Sequence, residues 1–239
     1  MKNILIIGAQ GKLGTPLLKK YTENFRVIPL DSQDYYREDN INFIDYILNK
    51  LKNNTDNKID IILFAHRYKS HSKDDSALKV GNFKVLENEV STTINIVEAL
   101  FKNDLIAKGG KIILFGSTND SLISQQDLYY HIAKSSIKIM VKWLAERLIS
   151  HEISVNGVSM GLISDEEDSK NNGMQSVNKV AKKLNINGRP TLFDEVSELV
   201  FSITALSSNQ LTGEMISIDG GFTLSDGYYM FTRKFNETE

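Results

Sequence analysis

Apolar runs of strand length alternate with helical patterns along nearly the whole chain. Residues 3–7 (NILII), 26–30 (RVIPL), 59–65 (IDIILFA), 111–116 (KIILFG), 153–158 (ISVNGV) and 214–218 (EMISI) read as strands. Several are almost continuous Val, Ile and Leu, the pattern of parallel strands covered by helices on both faces. Between them, residues 12–23, 41–52, 79–103, 127–150 and 193–207 carry helical periodicity. The alternation predicts an α/β fold: one doubly wound parallel sheet with helices on both faces, in a single domain spanning 1–239. The helices at 79–103 and 127–150 hold more apolar residues than one face needs, for instance Ile139, Met140 and Trp143 beside Ile137, Val141, Leu144 and Leu148. A second packing partner is expected for such a helix. Only the stretch 162–189 breaks the rhythm; it is polar and long, and reads as a lid over a substrate or as a loop.

Composition narrows the function. In 239 residues, 30 acidic and 28 basic side chains give a formal net charge of −2, which speaks against nucleic acid or an anionic membrane as an obligatory partner. The absence of cysteine removes disulfides, thiolate catalysis and cysteine-based metal sites. Four scattered histidines form no metal-binding motif, so no metal is expected. No segment has the length and apolarity of a membrane span or a signal peptide, and the expected location is cytoplasmic.

The first strand leads into Gly8-Ala9-Gln10-Gly11-Lys12-Leu13-Gly14 and then a helical pattern. Glycines at a strand-to-helix turn let the backbone approach a pyrophosphate, and the helix start supplies N–H donors. Asp31 follows the second strand, seventeen residues after Gly14. A carboxylate there accepts from ribose hydroxyls and repels a 2′-phosphate, which favours NAD(H) over NADP(H). Lys12 argues the other way, and Asp31 also reads as a plain turn residue before Ser32. Further on, the strand KIILFG leads to Ser117; Tyr130 lies thirteen residues later and Lys134 one helical turn beyond. Residues i and i+4 share a helix face, so a phenol and an ammonium project together. This grouping suits proton transfer at a carbonyl or alcohol oxygen.

With the glycine loop, the serine of FGST, Tyr130-His131-Ile132-Ala133-Lys134, ISVNGVSMGLI and the ending GRPTLFDEVSELV…LTGEMISIDGGF, the chain resembles the short-chain dehydrogenase/reductases over almost its whole length. The resemblance implies a Rossmann-type fold with Ser117, Tyr130 and Lys134 as catalytic residues. It implies cofactor contacts from Gly8, Gln10, Gly11, Lys12, Leu13, Gly14, Asp31, Asp39, Ala65, Tyr130, Lys134, Gly161 and Ile163. It also makes the second neighbour of helix 127–150 another subunit, in a homodimer or homotetramer. A lysine ammonium one turn from a tyrosine favours the phenolate, and a serine hydroxyl holds the reacting oxygen as charge develops.

The chain departs from the family pattern in four places. The glycines at 8, 11 and 14 have the spacing of extended members, and the short link from Asp31 to Asp39 resembles the dTDP-4-dehydrorhamnose reductases. The Asn-Asn-Ala-Gly that follows the fourth strand of the family is replaced by Phe64-Ala65-His66-Arg67; Ala65 keeps room for the cofactor, and His66 is unusual there or reads as a polar loop residue with a local hydrogen bond. Counting back from Ser117 puts Glu89, with Asn88 beside it, where the family carries an asparagine that anchors a proton-relay water. Met160-Gly161 stands where Pro-Gly is common. The reading is an NAD(P)-dependent oxidoreductase acting on a ketone or secondary alcohol of a polar small molecule, with a sugar or sugar nucleotide as the leading class. A 3-oxoacyl-thioester reductase and a weakly catalytic dinucleotide-binding regulator are the alternatives. The acidic run Asp165–Asp168 reads as a solvated face, and Lys179, Lys182 and Lys183 as the basic side of the lid.

Overall fold

A computed structural model describes residues 1–31, 45, 58–68, 78–165, 174–224 and 226. Asp39, most of the helix expected at 41–52 and the acidic residues after Asp165 lie outside the described residues. Six strands form one parallel sheet: β1 (Asn3–Ile7), β2 (Arg26–Leu30), β3 (Ile59–Phe64), β4 (Ile106–Ser117), β5 (Ser154–Met160) and β8 (Met215–Ile218), in the order β2-β1-β3-β4-β5-β8. Two short strands, β6 (Ile163–Ser164) and β7 (Thr191–Leu192), pair with each other beside the main sheet. β1 is buried along its full length, and its unbroken apolar run reflects helices on both sides. β2 lies at the edge, where burial alternates and Pro29, which cannot donate a ladder bond, is tolerated.

The helices are α1 (Gly14–Thr22), α2 (Lys84–Leu86, a π turn at Glu87–Ser91, then Thr92–Lys102), α3 (Leu128–Leu148), α4 (Met174–Leu184) and α5 (Phe193–Ala205). One apolar cluster joins a face of the sheet to α2 and α3 through residues such as Ile96, Leu100, Ile137, Val141 and Leu144. The other joins the opposite face to α1 and α5 through Leu17, Tyr21, Val196 and Val200. Burial raises the Tyr21 phenol well above the usual range, and its hydroxyl shares a hydrogen bond with Thr204 Oγ1 of α5.

Three elements differ from their expected bounds. β4 begins five residues before its expected start: Ile59 pairs with Ile106 and Ile61 with Lys111, and the irregularity between them takes in Gly109-Gly110. α2 starts at Lys84 rather than residue 79 and is interrupted by the π turn. Within 162–189 lies a helix, α4, that the polar composition hides: Ala181 is fully buried and Val177 and Leu184 half-buried on the same stripe, among exposed Lys179, Lys182 and Lys183. On α3, Ile139 is 63% and Trp143 53% exposed, so among the described residues the outer apolar stripe stays largely open to solvent.

Candidate active site

The strand order reverses between β1 and β3, and the residues singled out from sequence cluster outside the carboxyl ends of the strands, where an open α/β sheet forms its ligand crevice. Gly8 ends β1 at φ +84°, and a Cβ on it would lie 2.6 Å from the backbone of His66. A Cβ on Gly14 would lie 2.0 Å from the Gly8 carbonyl oxygen. These two glycines are therefore required by the close approach of backbone to backbone. Leu13, before α1, provides no side-chain cap. In the first turn Thr15 N donates to Gly11 O at 2.9 Å and Pro16 has no N–H, which leaves the amide of Gly14 without a backbone acceptor among the described residues at the helix start. The glycine loop and helix start suit a pyrophosphate.

Asp31 turns one carboxylate oxygen towards the loop and accepts from Gln10 N at 2.8 Å. It thus fixes the loop from the end of β2, at the place expected for a ribose-binding carboxylate. Lys12 reaches across the loop to Asp165, with Nζ 3.0 Å from Oδ2. The pair borders a groove of ≈ 460 Å³ whose walls include Thr15, Ser164 and Phe193. Ala65 is 8% exposed after β3, and its small side chain leaves the crevice open. Gly161 follows β5, where a Cβ would press within 2.7 Å of Asp219, so its size is explained by packing against the Asp219-Gly220-Gly221 turn. Ile163 opens β6 and is half-buried.

Ser117 terminates β4, and its Oγ accepts from Asn119 N at 3.3 Å, keeping its own hydrogen to donate. The turn after it is stapled to α3: Ser135 Oγ donates to Asp120 O at 3.0 Å, and His131 Nδ1 lies 3.2 Å from Asn119 O. His131 Nε2 accepts from Ser124 N at 3.4 Å, so the two contacts together require the proton on Nδ1. The start of α3 is held from three sides. Asp127 Oδ1 accepts from Tyr130 N at 2.9 Å, and the carbonyls of Lys79 and Val80 accept from Leu128 N and Tyr129 N. Tyr130 therefore stands in a fixed first turn. Its ring has Lys134 Nζ 5.6 Å from the centroid, and among the described residues no hydrogen bond takes up its hydroxyl. Tyr129 turns instead against Phe83, with ring centroids 5.6 Å apart.

Behind Tyr130, Lys134 Nζ lies 2.7 Å from Glu89 Oε2, with the side chains 6% and 2% exposed. Glu89, not Asn88, is thus the residue that α2 presents to the lysine. The π turn at Glu87–Ser91 adds a residue to one turn of the helix and resets its phase at this point. Asn88 faces elsewhere: its side-chain amide donates to Lys84 O at 2.8 Å, and its carbonyl accepts from His66 Nε2 at 2.8 Å. His66 is therefore a clamp between the β3 loop and the π turn, across a sequence separation that local reading does not reach.

Burial holds the His66 imidazole below its ordinary value of 6.5; the Asn88 carbonyl and Glu89 oppose that shift, and Lys134 adds to it. The unfolded chain then binds more protons at mildly acidic pH, so this contribution to stability is complete above about pH 6.5 and is lost as pH falls towards the folded value. Between neutrality and about pH 5, the denaturant midpoint of the native protein should fall more than that of His66→Gln. Equal falls would contradict the buried neutral imidazole.

Sequence reading missed three features of the site. The ion pair between Lys134 and Glu89 was visible only as an unusual residue type at a counted position. The strap formed by Lys79 and Val80 over α3 carries no motif, although Gly81 marks it: at φ +83°, a Cβ there would collide with the Asp127 carboxylate. Arg67, whose guanidinium lies 5.5 Å from the centre of the Tyr130 ring, was noted only as part of a replaced motif.

The family model described as Enoyl-(Acyl carrier protein) reductase matches residues 38–223. The chain is 20% identical over 192 residues to the enoyl-(acyl-carrier-protein) reductase (NADH) FabI of Buchnera aphidicola, covering 80% of this chain and 74% of that protein. A short-chain dehydrogenase family protein of Francisella tularensis superposes with a TM-score of 0.73 at 24% identity, over 94% of this chain and 100% of that one. The gluconate 5-dehydrogenase of Burkholderia cenocepacia, solved with NADP and tartrate, gives a TM-score of 0.74 at 17% identity over 94% and 96%.

Proposed function

The chain belongs to the short-chain dehydrogenase/reductase family, and we propose that it interconverts a ketone and a secondary alcohol on a polar small molecule with a nicotinamide cofactor. The observation that carries this reading is the grouping of Ser117, Tyr130 and Lys134 at the carboxyl ends of the strands, with the Lys134 ammonium 5.6 Å from the phenol ring. The glycine loop and α1 would hold the pyrophosphate, Asp31 the adenine-side ribose, and Lys134 the nicotinamide-side ribose. Bound there, the cofactor would supply or accept the hydride.

The remaining chemistry belongs to the chain. Tyr130 donates its hydroxyl proton to the substrate oxygen during reduction and removes it during oxidation. Ser117 donates a hydrogen bond to the same oxygen and stabilises the charge that develops on it. Lys134 lies in ion-pair contact with Glu89 and carries three N–H donors with which to reach the ribose and the phenol. A sugar or sugar-nucleotide ketone is the leading substrate class on the polarity of 162–189. A 3-oxoacyl thioester is the second reading, supported by a relative named 3-oxoacyl-(acyl-carrier-protein) reductase FabG.

Related proteins are named with NADH and with NADP, so cofactor choice rests on Asp31. Its carboxylate should make NADH bind about tenfold or more tightly than NADPH, and Asp31→Asn should narrow that gap. Titration of both cofactors by nicotinamide fluorescence tests this. Equal affinities in the native protein would contradict the role given to Asp31.

A further inference from the structure

Arg67 is an exposed residue just beyond β3, at the mouth of the crevice. Its neighbours on both sides are tied down by their side chains. The preceding His66 bonds to Asn88 O, and the following Tyr68 accepts from Asn82 Nδ2 at 3.4 Å. Its guanidinium stands 5.5 Å from the centre of the Tyr130 ring, and among the described residues it forms no ion pair or hydrogen bond.

The other charges around Tyr130 are already engaged. Lys134 is balanced by Glu89 within the protein interior. Asp127 is buried, and one of its carboxylate oxygens accepts from Tyr130 N in the first turn of α3. Among the described residues, Arg67 is thus a positive charge without a counter-ion, carrying a planar set of donors beside the group that would handle the substrate oxygen.

A surface arginine over a tyrosine gains only about 0.5–1 kcal/mol from the ring itself. A carboxylate matches its forked geometry far better, with two parallel charge-assisted hydrogen bonds. A single cation also suits the single charge of a carboxylate better than the larger charge of a phosphate.

We propose that Arg67 receives a carboxylate carried by the substrate close to its reacting carbonyl, which makes oxo acids and their hydroxy acids the substrate class. This rests on the oxidoreductase reading and on Tyr130 as the proton-transferring group. Arg67 then orients the substrate so that its carbonyl oxygen meets Ser117 and Tyr130.

The test compares acetoacetate with methyl acetoacetate, a pair differing in the negative charge, in the native protein, Arg67→Gln and Arg67→Lys with NADH. The native protein should prefer the acid. Arg67→Gln should shrink that preference about ten- to a hundredfold through KM, and Arg67→Lys should restore part of it. Binding of acetoacetate to the NADH complex of Tyr130→Phe, read by nicotinamide fluorescence, separates recognition from turnover. Arg67-dependent binding there supports the proposal even if the acid is not reduced, and then it is the oxidoreductase reading that fails. Reduction of the ester with no preference for the acid overturns the proposal and leaves that reading standing. A loss of NADH affinity in Arg67→Gln, with the preference between acid and ester unchanged, overturns it by assigning Arg67 to the cofactor.

Discussion

Tyr130→Phe should lower turnover of a matched carbonyl substrate by about 10²–10⁴-fold while leaving cofactor binding intact. The substitution keeps the aromatic ring, which Arg67 and Lys134 flank at 5.5 and 5.6 Å, and removes only the proton-bearing oxygen. The backbone of the first turn is held by Asp127 and by the Lys79 and Val80 carbonyls, none of which depends on that hydroxyl. A fall in kcat with little change in KM is therefore the expected signature. Turnover that persists at the native rate would remove Tyr130 from the mechanism.

Glu89→Leu should destabilise the protein by about 3–5 kcal/mol, because it leaves the Lys134 ammonium buried without its counter-charge. With the two side chains 6% and 2% exposed, solvent screening offers little relief. That is a large part of the 5–15 kcal/mol typical of a folded domain. Lys134→Met should cost a similar amount by stranding Glu89. Combining the two should restore much of the loss, since removal of both charges avoids an unpaired ion. Activity should not return with it, since the lysine is needed beside the phenol. Denaturant midpoints of the four proteins decide the matter. Additive losses in the double variant would contradict direct coupling of the pair.

Much of the architecture was legible because parallel strands covered on both faces must be apolar throughout. β1, β3 and β5 lie within a residue or two of their expected bounds for that reason. Where a constraint was local, as in the strand-loop-helix context of Gly8, Gly11 and Gly14 or the i, i+4 spacing of Tyr130 and Lys134, the sequence revealed it. The π turn was not legible. An extra residue in one helical turn changes phase without changing composition, so counting put Glu89 at the expected position but could not separate it from its neighbour Asn88. His66 was hidden for a different reason: its acceptor is a main-chain carbonyl on α2, and carbonyls leave no trace in a sequence. α4 escaped notice because a stripe as narrow as Val177, Ala181 and Leu184 is swamped by the charged residues around it.

Hydride exchange between a nicotinamide cofactor and a substrate carbon is the central claim, and isotopic transfer tests it most directly. With NADH deuterated at the transferable position, reduction of a carbonyl substrate should place the label on the new carbinol carbon, as read by mass spectrometry of the product. The label should appear with the native protein and be reduced by orders of magnitude over the same interval with Tyr130→Phe. Product formed without deuterium at that carbon would contradict the account.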